Sequence, residues 1–311
     1  MPADAPARNA PPSPFSPARI WALATNTFTQ LVRMRVFYFL LIFALVVIGV
    51  ARIYLSWSQE QELKLIKDVG FGAMRVFADL FAIAATALLI PKDIEDRTLY
   101  TILSKPVSRI EYLAGKLLGV MLLIGISLVL MQAIFGSVLH FRQQAILADT
   151  MQALDANPPF YIETAEELEK LKDDTRATIL AQGVNLNLLA ATLSLFVKAS
   201  VLASFTLLIS TFASSTLFTI MCGVAGYIIG HSQGLARDYF LSGTFTEGFE
   251  HVVAFVVAIL FPDLESLTLV DGIVGGQVVS AAVVFKILGL GFMYVLIYNI
   301  AAFFVFSEKE L

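Results

Sequence analysis

One five-residue motif has the spacing of a catalytic nucleophile. Residues 230–234 read Gly-His-Ser-Gln-Gly, the G-x-S-x-G pattern in which hydrolases expose a serine on a strained strand-to-helix turn. Asp238 and His251 follow in the chain order of such a triad. Here the motif follows an apolar run instead of a predicted strand. The pattern therefore favours a glycine-bounded helix end over a catalytic Ser232, and we assign no catalytic residue.

Of the ionisable side chains inside long apolar runs, where a charge is costly and often functional, we single out three. They are Asp79, Lys198 and Lys286, and we interpret them as candidates for a substrate path. Asp79 has a partner at hand in Arg75, one helical turn earlier. Lys286 stands in the outer half of its run, from which a long side chain can reach water. Lys198 is therefore the strongest of the three candidates.

The sequence gives little indication of ATP hydrolysis, disulfide formation, metal binding or nucleic-acid binding. It contains no Gly-x4-Gly-Lys-Ser/Thr phosphate-binding loop, so we expect this chain not to hydrolyse ATP. The single cysteine, Cys222, excludes an internal disulfide and predicts a packing role. The histidines (His140, His231 and His251) lie apart near segment ends and lack metal-ligand spacing. We expect no bound metal or cofactor, and the net charge of -4 gives no reason to expect nucleic acid.

Composition indicates that membrane helices position these residues. Hydrophobic residues make up 58% of the 311 residues and charged residues 15%, against about 45–50% and about 25% in ordinary soluble domains. Crossing the hydrocarbon core takes roughly 20 apolar residues. Six runs meet or approach this length, at residues 36–54, 71–90, 113–139, 188–212, 217–230 and 278–306. Pro91 should end the second run, and the shorter run at 251–261 favours a re-entrant or interfacial segment.

The remaining segments complete an all-α polytopic membrane protein. Residues 1–16 predict a disordered tail, and residues 17–311 form a single transmembrane domain that opens with an interfacial helix at 17–34. The charged residues 141–184 predict a helical insertion, in which a Thr164–Glu167 capping box opens a helix. Lys and Arg favour a cytoplasmic position for the loop at 91–116 and for both termini, which leaves the insertion outside.

The loop between the second and third runs carries the most informative pattern. Its residues 93–104 predict a short amphipathic helix that ends before Pro106. Apolar side chains form a row along this helix, with charged side chains around it. A cytoplasmic helix of this kind predicts docking into a groove of a soluble partner. The residues assigned to docking are Asp93, Ile94, Glu95, Asp96, Arg97, Thr98, Leu99, Ile102, Leu103, Pro106 and Arg109.

This stretch resembles the signature of the ABC-2 type permeases, the membrane subunits of ATP-binding-cassette exporters. That family often shows a Glu, a Thr-Leu pair, a Leu-Ser-x-Pro-Val-Ser-Arg run and a Gly-Lys pair that opens the next span. Arg97 stands where many members have glycine. The interfacial helix, the six spans, the Phe-Pro-Asp-Leu turn at 261–264 and the charged C-terminal end are also similar. The matching residues are Glu95, Thr98, Leu99, Leu103, Ser104, Pro106, Val107, Ser108, Arg109, Gly115 and Lys116.

The resemblance implies a function and partners. It implies that the loop forms a coupling helix on a separate ABC ATPase subunit, which binds the ATP. It also implies that two permease chains pair, as a homo- or heterodimer, around the substrate path. We expect export across a bacterial or archaeal inner membrane, of a substrate that the sequence does not reveal. Two alternatives stay open: a membrane-embedded serine hydrolase using Ser232, and a non-transporting scaffold coupled to an ATPase.

Overall fold

The computed structural model describes residues 16–50, 59–96, 107–160, 164–213, 215–241 and 260–308. Within these ranges the chain is helical and no residue lies in a strand. The helices are α1 (Pro17–Val32), α2 (Arg35–Val50), α3 (Gln59–Glu95), α4 (Arg109–Ala156), α5 (Ala165–Ala181), α6 (Leu186–Phe212), α7 (Thr216–Leu241), α8 (Val270–Val274) and α9 (Ala281–Glu308). The predicted tail at 1–16 lies outside the described residues except for Ser16.

Several of these helices are suited to a bilayer. By length and composition, four stretches of the described chain are able to cross a membrane: Glu62–Glu95, Arg109–Ala156, Ala165–Phe212 and Ala281–Glu308. The apolar part of the third stretch is α6. Helices α1 and α2 meet at a bend of 67° and count as a fifth candidate when they are taken together. The described part of the chain is therefore helical without strands, and it contains four to five apolar helices that could span a membrane.

Helix α6 occupies the centre of the bundle. It packs against α3, α4, α7 and α9, and every residue from 197 to 207 is buried. Several of its hydroxyl groups are bonded within the helix: those of Ser200, Ser204 and Thr206 each donate to a backbone carbonyl three or four residues earlier. Small residues and internally bonded hydroxyls let neighbouring helices approach closely in an apolar environment. This packing leaves Lys198 in α6 remote from the surface.

Two glycines of α4 hold α1 close. A Cβ atom at Gly115 would lie 2.5 Å from the Cβ of Leu23, and one at Gly119 would lie 2.6 Å from the Cβ of Thr27. Any side chain at these positions would push α1 away, so the spacing of four acts as a small-residue packing motif. The helix predicted at 17–34 is present as α1. It is fixed to α4, while Trp21 on its other side is exposed.

The prediction that Pro91 ends the second apolar run is wrong. Helix α3 continues through Pro91 to Glu95, and the Asp96 N–H still donates to the Lys92 carbonyl at 2.9 Å. A proline inside a helix removes one hydrogen bond, and the turn beyond it is held here by contacts of Asp93 with α4. Residues 93–95, expected to open the coupling helix, therefore form the last turn of α3.

The predicted helix end at Gly230 is also wrong. Helix α7 continues through Gly230 and Gly234 to Leu241. A Cβ at Gly230 would lie 2.7 Å from the Pro262 carbonyl oxygen, and the Leu264 N–H donates to the Gly230 carbonyl at 3.1 Å. Glycine is needed here because the 261–269 segment packs directly on the helix. The re-entrant segment predicted at 251–261 lies outside the described residues, apart from its last two.

In the described residues of the predicted insertion at 141–184, the helices are the second part of α4 and α5. The capping box that opens α5 is confirmed, because the Thr164 hydroxyl accepts from the Glu167 N–H and the Glu167 carboxylate accepts from the Thr164 N–H. Gln143 of α4 donates to the Ile179 carbonyl of α5 at 3.2 Å. We call this end of the bundle the insertion end. The opposite end, where α3 finishes and α4 begins, is the loop end.

Candidate functional site

A buried ion pair joins the two central helices. The Lys198 Nζ atom of α6 lies 2.9 Å from the Asp79 Oδ2 atom of α3. Lys198 is 0% exposed and Asp79 is 4% exposed. Lys198 lies twelve residues into α6, about 18 Å along the helix axis at 1.5 Å per residue. Charges at such depth are rare unless they pair, and they commonly mark functional sites.

His231 extends this pair toward the insertion end. Its Nε2 atom lies 2.9 Å from Lys198 Nζ and 2.8 Å from a guanidinium nitrogen of Arg75. Both neighbours carry only donors, so Nε2 is the acceptor and the ring proton resides on Nδ1. Nδ1 then donates to the Glu265 carboxylate at 3.0 Å. These partners therefore select a neutral imidazole, because a proton on Nε2 would face two cations.

The polar groups form a chain from the bundle centre to its surface. The Tyr227 ring closes one side, 4.7 Å from the His231 ring and 5.2 Å from Lys198 Nζ. Side-chain exposure rises from 0% at Lys198 through 17% at His231 to 42% at Glu265. We call this set the bundle network; its members are Arg75, Asp79, Lys198, Tyr227, His231 and Glu265. At ordinary protonation its two cations balance its two carboxylates.

The structure unites two of the three residues predicted for a substrate path. Asp79 and Lys198 pair with each other, and Arg75 contacts His231 instead of serving as the expected partner of Asp79. Lys286 is exposed on α9 and contacts no member of the network. The prediction that His231 is an isolated residue at a segment end is wrong. Its glycine neighbours at 230 and 234 were the available signal, since glycines within a helix often mark a close backbone approach.

Ser232 does not stand on a nucleophile elbow. It lies within α7, and its hydroxyl donates to the Ile228 carbonyl at 3.0 Å, one turn earlier in the same helix. The elbow depends on a strained turn after a strand, and the described residues near Ser232 contain neither. The Asp238 side chain and His251 lie outside the described residues. In the described part of the chain, no cluster of His, Cys, Asp and Glu side chains is arranged to hold a metal ion.

A second set of polar contacts lies at the loop end. The Asp93 Oδ2 atom of α3 lies 2.6 Å from Lys116 Nζ and accepts a 2.6 Å hydrogen bond from the Tyr112 hydroxyl, both on α4. All three side chains are buried. The helix before residues 97–106 is thus fixed directly to the helix after them.

Glu111 fixes the start of α4 to α1. Its carboxylate accepts from the backbone N–H groups of Ser108 and Ser16 and from the guanidinium of Arg19, at 2.6–2.8 Å. Glu111 lies in the first turn of α4, ahead of the apolar run. Burial by itself raises the pKa of this carboxyl, but the hydrogen bonds from Ser108, Arg19 and Ser16 outweigh burial and lower the pKa to about 2. The carboxylate is therefore charged at any physiological pH.

Arg109 connects the same end to α9. Its guanidinium donates to the carbonyls of Phe306 and Ser307 at 2.6 and 2.8 Å, and the Tyr112 and Phe306 rings stack with centroids 5.9 Å apart. A helix C-terminus carries partial negative charge, so a guanidinium is well placed there. We call these interactions of Arg19, Asp93, Arg109, Glu111, Tyr112 and Lys116 the loop-end contacts.

The residues predicted to dock on a partner have different environments. Asp93 and Arg109 bind other parts of this chain through the loop-end contacts, and Ile94 packs partly buried against the core. Glu95 and Asp96 are exposed. The other docking residues lie outside the described part of the chain: Arg97, Thr98, Leu99, Ile102, Leu103 and Pro106. Searches with the sequence find no match among protein-family models or curated proteins.

Proposed function

We propose that this chain is the membrane-spanning permease subunit of an ATP-binding-cassette exporter, driven by a separate ATPase subunit. The observation that carries the proposal is the set of contacts made by the described residues on either side of the 97–106 segment. This segment holds the sequence pattern that resembles the ABC-2 permeases, and both of its flanks are anchored by the loop-end contacts. A segment anchored in this way can pass movement from a bound partner into the bundle.

Three contacts could transmit this movement to the helices of the bundle. The Asp93–Lys116 pair joins the end of α3 to the start of α4, on either side of the segment. The Arg19–Glu111 pair joins α4 to α1, and the Arg109 hydrogen bonds join α4 to α9. A displacement of the segment would therefore reach several helices together. In the proposed cycle, closure of the ATPases shifts these helices between inward-open and outward-open arrangements. The bundle network then lines or gates the substrate path in the centre.

The proposal uses six spans: α2, α3, α4, α6, α7 and α9. Helix α7 is not among the four stretches able to cross by length and composition. The proposal includes it because its 26 residues are long enough for a hydrocarbon core that takes roughly 20. The basic residues near the loop end favour its placement in the cytoplasm together with both termini. Six spans are half of the usual exporter core, so a second permease chain completes the transporter in the inner membrane of a bacterium or archaeon.

Of the two alternatives, a serine hydrolase gains no support from the surroundings of Ser232. A non-transporting scaffold would share the fold and the ATPase and would differ in the role of the bundle network. ATP-dependent movement of solute into sealed vesicles separates a scaffold from a transporter. The bundle network favours the transporter, because ionisable groups inside a membrane bundle often mark a substrate or ion pathway.

The double variant Leu99→Asp/Leu103→Asp tests the proposed coupling. Full burial of a leucine contributes roughly 1.5–3 kcal/mol, so losing both weakens docking by about 100-fold or more at roughly 1.4 kcal/mol per tenfold. We expect the variant to insert normally, to lose co-purification with its ATPase, and to lose ATP-dependent transport.

The matched control is Leu168→Asp/Leu171→Asp, which places the same substitutions at the insertion end, in α5. This control should keep the ATPase at wild-type stoichiometry, as should Asp79→Asn in the bundle. Retention of the ATPase by the Leu99→Asp/Leu103→Asp variant would show that the 97–106 segment is not the coupling element.

A further inference from the structure

The bundle network contains a continuous line of hydrogen bonds that starts at a buried ammonium group. With the ring proton on Nδ1, Lys198 Nζ donates to His231 Nε2 at 2.9 Å, and His231 Nδ1 donates to the Glu265 carboxylate at 3.0 Å. Each bond therefore places a proton between a donor and a group that is able to accept it. The Lys198 side chain is 0% exposed and the Glu265 side chain is 42% exposed, so the line ends at the surface of the bundle.

The last acceptor of this line is held in place by its own segment. The Gln233 side chain of α7 donates to the Phe261 carbonyl at 2.8 Å, which docks the segment on the helix ahead of Glu265. A Cβ at Gly234 would lie 3.2 Å from the Glu265 Cγ atom. Glycine at this position leaves room for the glutamate side chain along α7. The carboxylate is therefore directed at His231 by the packing of the segment.

The charges around His231 allow a proton to leave Lys198. The ionisable groups that face the imidazole from the elements packed around it are Arg75 and Asp79 of α3, Lys198 of α6, Tyr227 of α7, and Glu265. A proton that moves from Lys198 to Glu265 leaves one cation, Arg75, and one carboxylate, Asp79. The network is thus neutral before and after the transfer, and this matters because an uncompensated buried charge is costly. Arginine stays protonated in proteins, so Arg75 cannot supply the proton.

We propose that the bundle network is a proton-transfer path that connects Lys198 with water at the insertion end. One N–H bond of Lys198 breaks as its proton moves to His231 Nε2, and the Nδ1–H bond breaks as that proton moves to a Glu265 oxygen. The products are a neutral amine, the other neutral tautomer of the imidazole and a carboxylic acid, so protons and charge balance. Glu265 then exchanges its proton with water. Histidine suits the middle position because its two ring nitrogens are able to exchange the roles of donor and acceptor.

The path gives the central ion pair two states. With Lys198 as an ammonium, the pair with Asp79 joins α6 to α3. With Lys198 as an amine, this ionic contact is lost and the Asp79 carboxylate is able to accept another cation. A low proton concentration in the water at the insertion end favours the amine. The path does not depend on the proposed transport function, because proton exchange requires neither ATP nor a substrate.

Exchange of the Lys198 ammonium protons for deuterium tests the path, by proton-detected solid-state NMR of the full chain in nanodiscs after transfer to deuterated water. Glu265→Gln keeps an oxygen for the bond from Nδ1 but cannot take up the proton. We expect this variant to slow exchange at Lys198 by about 100-fold, the lower end of what a positioned proton acceptor contributes. Glu265→Asp keeps a carboxylate and should exchange faster than Glu265→Gln. The matched control is Asp271→Asn, which removes an exposed carboxylate from α8 and should leave the rate unchanged.

Lys116 provides an internal reference for the exchange rate. It is 1% exposed and pairs with Asp93 at 2.6 Å, and no histidine is bonded to it among the described residues. Its ammonium should exchange more slowly than that of Lys198 in the wild type and equally in every variant. His231→Gln interrupts the path at its middle and supplies the measurement if Glu265→Gln is not monodisperse.

Three results would overturn the proposal. The first is an unchanged rate at Lys198 in the folded Glu265→Gln and His231→Gln variants. The second is wild-type exchange at Lys198 that is as slow as at Lys116. The third is exchange of the backbone amides of residues 197–207 at the same rate as the Lys198 ammonium, because local opening of α6 would then explain the exchange.

Discussion

Removing one partner of the Asp79–Lys198 pair should destabilise the bundle strongly. In Lys198→Met the apolar side chain fits the buried space, but Asp79 is left as a buried carboxylate without its nearest cation. Breaking a buried ion pair in this way costs about 3–5 kcal/mol. The surroundings offer little relief, because Asp79 is 4% exposed and water cannot readily replace the ammonium group.

The double variant Asp79→Leu/Lys198→Met should recover most of this loss. Replacing both members of a buried pair by apolar residues of similar size is often neutral, or stabilising by about 1–4 kcal/mol. Recovery of stability without recovery of transport would show that the pair serves function more than folding. Lys286→Met is the matched control: Lys286 is exposed on α9, and its removal should change stability by less than about 0.5 kcal/mol.

The assay is reversible unfolding in detergent, followed by circular dichroism, with ATP-driven transport measured on the same variants in proteoliposomes. Lys198→Met should unfold at clearly lower denaturant than the wild type, and the double variant near the wild type. If Lys198→Met stays within about 0.5 kcal/mol of the wild type, the two residues do not form a buried pair. Normal transport by a stable double variant would show that the bundle network is not required for transport.

Three further predictions concern the helix contacts, Ser232 and the topology. Gly119→Leu should detach α1 from α4 at a cost of about 1–3 kcal/mol from overpacking, and this should appear as faster proteolysis near Thr27. The control Gly49→Leu, where a Cβ meets no atom within 4 Å, should leave the rate of proteolysis unchanged. Equal rates in both variants would contradict the close packing. Ser232→Ala should keep full activity, because the hydroxyl donates only to its own helix at Ile228; loss of activity together with fluorophosphonate labelling of Ser232 would reverse this assignment. Cysteines introduced at Ser104 and Glu167 should be labelled from opposite sides of the membrane, and labelling of both from one side would exclude the six-span arrangement.

Local sequence signals predicted the helices and some of their ends. The apolar runs at 71–90, 113–139 and 188–212 all lie within helices, because a chain in lipid must satisfy its backbone groups internally. The Thr164–Glu167 capping box was readable because its two residues are three apart. Proline commonly ends a helix, but α3 continues past Pro91, and the following turn is held by the contacts of Asp93 with Lys116 and Tyr112 of α4. Those partners lie far along the chain, so the local sequence does not reveal them.

Only part of the bundle network could be predicted from the sequence. Asp79 and Lys198 attracted notice because each places a charge in an apolar run. Their pairing joins positions 119 residues apart, and the contact of His231 with Arg75 spans 156. No local sequence pattern predicts contacts between residues so far apart in the chain. The sequence around Glu265 gave no indication of its role, because a glutamate after a proline turn is typical of an exposed loop. Its contact with His231 arises only because the 261–269 segment packs on α7.

The most direct test of the proposed function is the mass of the intact complex, purified from its native membrane through a tag on this chain and measured by native mass spectrometry. The proposal predicts two permease chains with two copies of an ATPase that has a phosphate-binding loop, and ATP hydrolysis by the same sample. The Leu99→Asp/Leu103→Asp variant should give permease chains alone. A monodisperse, folded wild-type sample that contains this chain without an ATPase and does not hydrolyse ATP would contradict the assignment as a transporter subunit.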